Sequence, residues 1–127
     1  MVEDRSAVVT IGGEEYELLL TTRATKLIGK RYGGLENLGE KLLKAENFDM
    51  ALDEIIWLIT LLANQPIQIY NLKNKENPRE LLAEDDVELL TTPLEIATFR
   101  TAITQAMSNG MRRDILSEPD QKNEVTG

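Results

Sequence analysis

The run "IIWLITLLA", residues 55–63, restricts the fold more than any other stretch of this chain. Its apolar side chains cover nearly the whole circumference of an α-helix after the first turn. Such a helix must be covered on two sides, and this one is too short to span a bilayer. We therefore expect a central buried helix, which Pro66 kinks or ends. Its predicted core side carries Leu52, Ile55, Ile56, Ile59, Leu62 and Ala63.

The segment after Pro66, "IQIYNL", fits a helix or a strand equally well by periodicity. At the other end of the chain, "AVVTI" (Ala7–Ile11) and "YELLL" (Tyr16–Leu20) are rich in residues that favour strands. Gly12 and Gly13 supply the positive φ angles of a tight turn between them. Because an isolated hairpin is marginal in water, one face of this predicted hairpin should pack on the helices.

Several local signals predict further helices. Thr21 or Thr22 can cap a first helix, with Ala24, Leu27 and Ile28 on its apolar face and Gly33–Gly34 as its end. A shorter helix is predicted for Leu35–Lys44, and Asn47 or Asp49 can cap the central helix. Asn77–Pro78 is predicted to open another helix, with "EDDVE" as its solvated part or as a loop.

The clearest local signal is "TPLE", residues 92–95. Thr92 caps, Pro93 takes the first helical position, and Glu95 completes a capping box. The predicted apolar stripe is Ile96, Phe99, Ile103 and Met107. This helix ends at Asn109–Gly110, or a last turn continues it through Met111 to Leu116.

These elements predict an α+β fold that is predominantly helical, with an N-terminal β-hairpin packed on a bundle of about four to five helices. The length of 127 residues suits one domain. We expect a single globular domain over residues 1–116 and a disordered tail over residues 117–127.

Composition excludes several functional classes. The net charge is −8, which argues against broad binding to nucleic acid or to anionic membranes. The chain has no cysteine and no histidine. Zinc and iron–sulfur sites built on those residues, cysteine nucleophiles and Ser-His pairs are therefore excluded.

The remaining catalytic and ligand-binding signals are weak. Gly29–Lys30 fails as a phosphate-binding loop because Ala24 and Arg31 stand where that motif needs glycine and serine or threonine. The acids of residues 84–88 lack the spacing of a calcium loop. Asp49, Asp53 and Glu54 fit the positive end of a helix better than acid–base chemistry. We expect no catalytic, metal or cofactor site.

Two features are candidate partner-binding surfaces. Arg23, Lys26 and Lys30 line one edge of the first helix, either as a solvated face or as a docking patch for an acidic segment such as another copy of this chain. Trp57 and Leu61 point away from the core side of the central helix. They are either packing between layers or a hot spot for a partner.

A resemblance to a known family says more about function than these individual residues do. The stretch "VVTIGGEEYELLLTTRATKLIGKRYGGLENL", a Trp-bearing apolar helix and "TPLEIATFRTAITQAM" together resemble the tail assembly chaperones of long-tailed bacteriophages of Gram-positive hosts. The resemblance covers roughly residues 8–107 as a series of short, degenerate pieces, without a catalytic signature.

This resemblance implies a non-enzymatic factor that binds the tape-measure protein and is displaced as tail-tube proteins polymerise around it. It also implies a place in the host bacterial cytoplasm and absence from the mature virion. Self-association is expected because a coat around a long client needs contacts between copies.

Two other functions remain open. The first is a small acidic regulator or inhibitor that docks on a basic protein surface, whose binding would weaken steeply with salt. The second is a carboxylate-dependent enzyme that requires Asp53 or Glu54. Binding to a helical client that salt changes little would favour the chaperone.

Overall fold

The computed structural model describes residues 7–34 and 48–117, with side chains described within 7–34 and 52–110. A two-stranded antiparallel hairpin packs against the helices, so the expected α+β, predominantly helical fold is confirmed. The predicted helix Leu35–Lys44, the cap Asn47 and residues 118–127 lie outside the described residues. The described elements are β1 (Ala7–Ile11), β2 (Glu14–Leu18), α1 (Thr22–Tyr32), α2 (Phe48–Lys73), α3 (Glu84–Leu90) and α4 (Pro93–Ser117).

The hairpin forms around Gly12 and Gly13, whose φ angles are 61° and 86°. Two consecutive positive φ angles are the geometry of the two-residue turn that matches the twist of paired strands. Because this turn needs only two residues, β2 begins at Glu14, paired with Ile11. The predicted second strand, Tyr16–Leu20, was therefore displaced by two residues.

α2 is the centre of the molecule and contacts α1, β2, α3 and α4. The predicted core stripe is buried from Ile55 to Ala63, while Leu52 is partly buried. Leu58, which the prediction did not include, is also fully buried. The helix is thus covered on more than one side, as its circumference of apolar residues requires.

Pro66 does not end α2, which continues through the ambiguous "IQIYNL" to Lys73. A proline inside a helix leaves the carbonyl four residues earlier without its usual N–H donor. Here that carbonyl belongs to Leu62, and the backbone N–H of Leu19 donates to it at 3.2 Å. The chain just after β2 thus satisfies the group that Pro66 leaves free.

α1 starts and stops where local chemistry predicts. The Thr21 side chain accepts the Ala24 N–H at 3.1 Å, and Gly33 takes the left-handed conformation at the end. Ala24 and Ile28 are buried, but Leu27 is 39% exposed, so its assignment to the apolar face was wrong. Tyr32, one turn after Ile28, fills that face instead.

The predicted helix at Asn77–Pro78 is wrong. This region is not helical, and the next helix, α3, begins only at Glu84. The strap, which we define as residues 79–82, is held by two asparagines of α2. Asn64 exchanges two hydrogen bonds with the backbone of Leu82, each 2.8 Å long.

Asn71 repeats this pairing with the backbone of Arg79, at 3.0 and 2.7 Å. The two asparagines are two helical turns apart, about 10.5 Å along the axis. Three residues of extended chain span about 10 Å. The strap therefore runs antiparallel to α2 in register with both amides, which a helix at Pro78 would not allow.

α4 begins with the predicted capping box. Glu95 N–H donates to Thr92 Oγ1 at 3.3 Å, and Thr92 N–H donates to Glu95 Oε1 at 2.9 Å. The stripe of Ile96, Phe99 and Ile103 is buried and Met107 is partly buried.

Asn109–Gly110 does not end α4, which runs to Ser117. Gly110 instead permits close packing, since a Cβ there would lie 2.7 Å from the Cβ of Leu20. Asp49, the other proposed cap of the central helix, lies inside α2 rather than before it. Within the described part of the chain, no helix combines the length and hydropathy that a bilayer span requires.

Candidate functional site

Trp57 lies in a polar and aromatic cluster between α1 and α2. The Arg31 guanidinium lies 4.4 Å from the centre of the indole ring, and the Tyr32 ring meets it edge-on at 6.1 Å. Arg31 Nε also pairs with Glu54 Oε1 at 3.2 Å, and the Tyr32 hydroxyl donates to the same carboxylate oxygen. The cluster ties the end of α1 to the first half of α2.

The environment of Tyr32 favours its neutral form. Burial is the main cause that raises the pKa of Tyr32, and the hydrogen bond to the Glu54 carboxylate acts in the same direction. A neutral hydroxyl that donates to a charged carboxylate is a strong pairing in a partly buried place. This arrangement gives Glu54 a structural role, since it links Arg31 and Tyr32 of α1 to α2.

Trp57 and Leu61 were predicted as a candidate partner-binding pair. In the structure both are partly buried and pack against the core. The Leu61 carbonyl accepts a further hydrogen bond from Gln65 Nε2 at 3.0 Å. Both residues line the side of α2 that faces α1, as the partners of Glu54 and Gln65 indicate. Their role in binding a partner stays a prediction.

Arg23, Lys26 and Lys30 all lie on the exposed side of α1. We call these residues, with Leu27 between them, the basic face. Arg23 donates to Gln68 of α2 at 3.3 Å. Within the described residues, Lys26 and Lys30 have no carboxylate at ion-pair distance. The structure brings Arg31, rather than these three cations, to Trp57.

A groove runs between the start of α1, the second half of α2 and the strap. It has a volume of about 430 Å³, within the range of clefts that bury a compact ligand. Ile69, Leu72 and Leu81 give it an apolar wall, and they are 38%, 67% and 44% exposed. Arg23, Gln68 and Asn71 form its polar rim. We call it the α2 groove.

A second group of exposed leucines lies along the chain between the end of α3 and the start of α4. Leu89, Leu90 and Leu94 are 84%, 54% and 77% exposed. The surrounding stretch, residues 84–95, contains only acidic charges: Glu84, Asp85, Asp86, Glu88 and Glu95. We call this stretch the acidic leucine corner. Leu90 reaches the hairpin turn, since a Cβ on Gly12 would lie 3.0 Å from Leu90 Cδ1.

The acids of this corner do not form a metal centre. Within the described residues, no group of three or more acidic side chains is placed to hold a metal ion. Asp86 instead accepts the Ala83 N–H at 3.1 Å, at the start of α3. Asp53, the other described carboxylate considered for acid–base chemistry, is exposed.

Sequence reasoning missed both the α2 groove and the acidic leucine corner. The signal for the corner was present in "ELLTTPLE", where leucines stand on both sides of a helix break. No comparable signal marked the groove, because its wall joins residues of α2 to Leu81 across a segment that was predicted to be helical.

Comparisons of the chain with protein-family models, with curated proteins and with solved structures found no match. The surfaces described above and the resemblance of the short sequence pieces are therefore the features that bear on function.

Proposed function

We propose that this protein is a non-enzymatic tail assembly chaperone, which binds the tape-measure protein of a long-tailed phage in the bacterial cytoplasm and helps tail-tube assembly. The observation that carries the proposal is the α2 groove, an open cleft with an apolar wall between α1, α2 and the strap. Helical segments commonly bind by laying their apolar face into such a groove. Tape-measure proteins, as the resemblance implies, are long and helical.

The charge and surface of the protein also support a chaperone. A chaperone must stay soluble while it offers apolar side chains to a client, and a net charge of −8 opposes non-specific aggregation. Leu72 is 67% exposed beside the polar Gln68 and Asn71. Such a leucine does little for folding and is available to a client. In the mature virion the protein would be absent, since tube subunits displace it.

The test is binding of a helical tape-measure fragment to the full-length protein, measured by calorimetry. Leu72→Asp places a charge on the apolar wall and should weaken binding by at least about tenfold, as expected for an anchor residue. Thr101→Asp puts the same charge on an exposed site of α4 and should leave binding unchanged. Absence of measurable binding between the wild-type protein and the fragment would overturn the proposal.

A second candidate is a small acidic regulator or inhibitor that docks on a basic protein surface. The acidic leucine corner favours it, because residues 84–95 carry five acids, three exposed leucines and no basic residue. The two functions differ in salt dependence. Binding through the corner to a basic partner weakens steeply as salt rises, whereas client binding in the apolar groove changes little.

A further inference from the structure

We propose that the free edge of β1 binds an extended, basic segment of another protein, which adds to the hairpin as a third strand. The segment would lie in a cleft between β1 and α4. The inference is argued from these two elements and the hairpin, so it does not rest on the α2 groove or on the proposed function. It gives the protein a site for a strand in addition to the proposed site for a helix.

The backbone of β1 has hydrogen-bonding groups that the hairpin does not use. The two-residue turn makes Ile11 and Glu14 a hydrogen-bonded pair, and bonded and non-bonded pairs alternate along an antiparallel ladder. Val8 and Thr10 therefore belong to non-bonded pairs, and their N–H and C=O groups point away from β2. Among residues 7–34 and 52–110, no other hydrogen bond takes these four groups. An added strand would satisfy all of them.

The two edges of the hairpin differ in their protection against such pairing. Proteins usually guard a free edge with charged side chains or with proline. β2 carries Glu15 and Glu17, which are both exposed. β1 has neither a charge nor a proline, and its Val8 is 53% exposed. The edge of β1 is therefore the one that can act as a template for another strand.

The cleft beside β1 has room for this strand. It has a volume of about 310 Å³, and its floor is the face of α4 that carries Glu95, Thr98, Phe99 and Ala102. The Thr98 hydroxyl donates to the Glu95 carbonyl at 2.6 Å, so it does not compete for the edge of β1. Neighbouring strands lie about 4.8 Å apart, and the short side chains of Thr98 and Ala102 leave space next to the edge.

The geometry also specifies the pattern of the bound segment. The hairpin packs on helices with one face and exposes the other, which suits antiparallel addition. Residues opposite Val8 and Thr10 would exchange four hydrogen bonds with β1 and have their side chains on the solvent side. The residues between them would point toward Phe99 and Ala102. The segment should therefore alternate polar and apolar side chains.

The charge around the cleft selects a basic segment from a different protein. Residues 7–20 contain Glu14, Glu15 and Glu17 and no base, and Glu95 is the charged residue among those that line the cleft. Lysine or arginine in the bound segment would meet these acids. A second copy is a poor occupant, because β1 has no base and pairing two β1 edges would bring both sets of acids together.

The test uses a capped seven-residue peptide in which threonine and valine alternate and a lysine at each end falls on the valine side. Nuclear magnetic resonance of the full-length protein measures amide hydrogen exchange with and without this peptide. In the free protein the Val8 and Thr10 amides should exchange faster than those of Val9 and Ile11, which the ladder protects. Saturating peptide should slow exchange at Val8 and Thr10 at least about tenfold.

Matched peptides separate strand pairing from non-specific adhesion. Methylation of the threonine backbone nitrogens removes the N–H groups that face β1 and should weaken binding at least about tenfold. Methylation of the valine nitrogens, which face away from β1, should leave the dissociation constant unchanged. Glutamate in place of both lysines should weaken binding about fivefold, the effect of a modest exposed charge contact.

Two protein variants test the site itself. Thr98→Arg fills the cleft with a cation and should weaken peptide binding at least about tenfold, whereas Thr101→Arg puts the same charge on an exposed site of α4 outside the cleft and should not. Val8→Pro removes one edge N–H at a position where the ladder does not need it and should also weaken binding. Circular dichroism checks that each variant folds, and the Thr98 variant keeps the test valid if the proline disturbs the hairpin.

Three outcomes would overturn the inference: a wild type that does not bind the peptide, equal binding of the two methylated peptides, or equal binding by the Thr98 and Thr101 variants. Protection of Val8 and Thr10 that rises with protein concentration in the absence of peptide would assign the edge to a second copy instead. The Leu72→Asp variant should lose the helical client and keep the peptide, so this site and the proposed function can fail independently.

Discussion

The two short helices on α2, α1 and α3, are held in different ways. α1 buries Ala24, Ile28 and Tyr32 and is capped at both ends. α3 buries only Val87, and the residue before it, Ala83, has no side-chain acceptor for a cap. What positions α3 is the strap, whose backbone is bound by Asn64 and Asn71. α1 is thus anchored by three buried side chains and two caps, and α3 by Val87 together with the strap.

The two helices also differ in the kind of side chain that they expose to solvent. α1 exposes mainly cations, which cost nothing in water, while α3 and the start of α4 expose Leu89, Leu90 and Leu94. Large exposed apolar patches usually mark binding surfaces. The helix with a single buried side chain and no cap at its start is therefore followed by the side chains that folding does not need.

The largest expected effect tests burial. Ile28→Ala should lower the free energy of unfolding by about 2–5 kcal/mol, and Val87→Ala by about 2 kcal/mol, because both side chains are fully buried. The exposed neighbours Leu27 and Leu89 are matched controls, and their alanine variants should change it by at most about 0.5 kcal/mol. Urea unfolding measures all four. A Leu89→Ala loss equal to that of Val87→Ala would contradict the comparison.

The second test concerns the strap. Asn64→Ala leaves the backbone N–H and carbonyl of the buried Leu82 without their two hydrogen bonds. The free energy of unfolding should therefore fall by about 1–3 kcal/mol. Asn71→Ala should cost less, because water can reach the exposed backbone of Arg79. Urea unfolding gives the cost, and faster hydrogen exchange at the Leu82 amide would locate it. Equal costs for the two variants would show that burial of the strap does not matter.

The third test concerns the polar anchor of α1. Tyr32→Phe removes the hydroxyl that donates to Glu54 and should cost about 1–2 kcal/mol near neutral pH. Because the pKa of Tyr32 is raised above its ordinary value of about 10, the unfolded chain loses this proton first as pH rises. The stability that Tyr32 provides is therefore complete below about pH 10 and falls above it.

Urea unfolding of wild type and Tyr32→Phe across this alkaline range provides the measurement. The variant should lose stability less steeply with pH. Some slope should remain, because burial and Glu14 also raise the pKa of Tyr16. Identical slopes for the two proteins would show that Tyr32 does not contribute to the loss of stability at alkaline pH.

The smallest expected effect concerns helix caps. Thr92→Ala removes the cap of α4 and should cost about 1 kcal/mol. Ala83→Ser should do the reverse for α3 and add about 0.5 kcal/mol, since Asp86 already accepts the Ala83 N–H and a serine would complete the capping box. Thermal unfolding measures both changes. A destabilising Ala83→Ser would mean that the start of α3 is constrained by the strap rather than by its missing cap.

The elements that could be predicted from sequence depend on chemistry within a few residues. The Gly12–Gly13 turn, the Thr21 cap, the Gly33 end and the box of Thr92 and Glu95 are all local hydrogen bonds or backbone angles. The periodicity of α2 and α4 likewise identified their buried stripes. The candidate site was predicted less well. Arg23, Lys26 and Lys30 are exposed on α1, but their role in binding stays a prediction. The α2 groove and the acidic leucine corner were not predicted.

What only the tertiary structure decided depends on groups distant in sequence. Pro66 lies inside a helix because Leu19 supplies the missing hydrogen bond to Leu62. Gly110 continues α4 instead of ending it, and glycine occupies this position because a Cβ there would collide with Leu20. Residues 79–82 form a strap because Asn64 and Asn71 bind their backbone. A proline, a glycine or an asparagine has the same local preference everywhere, and the partner that overrides it is present only when the chain has folded.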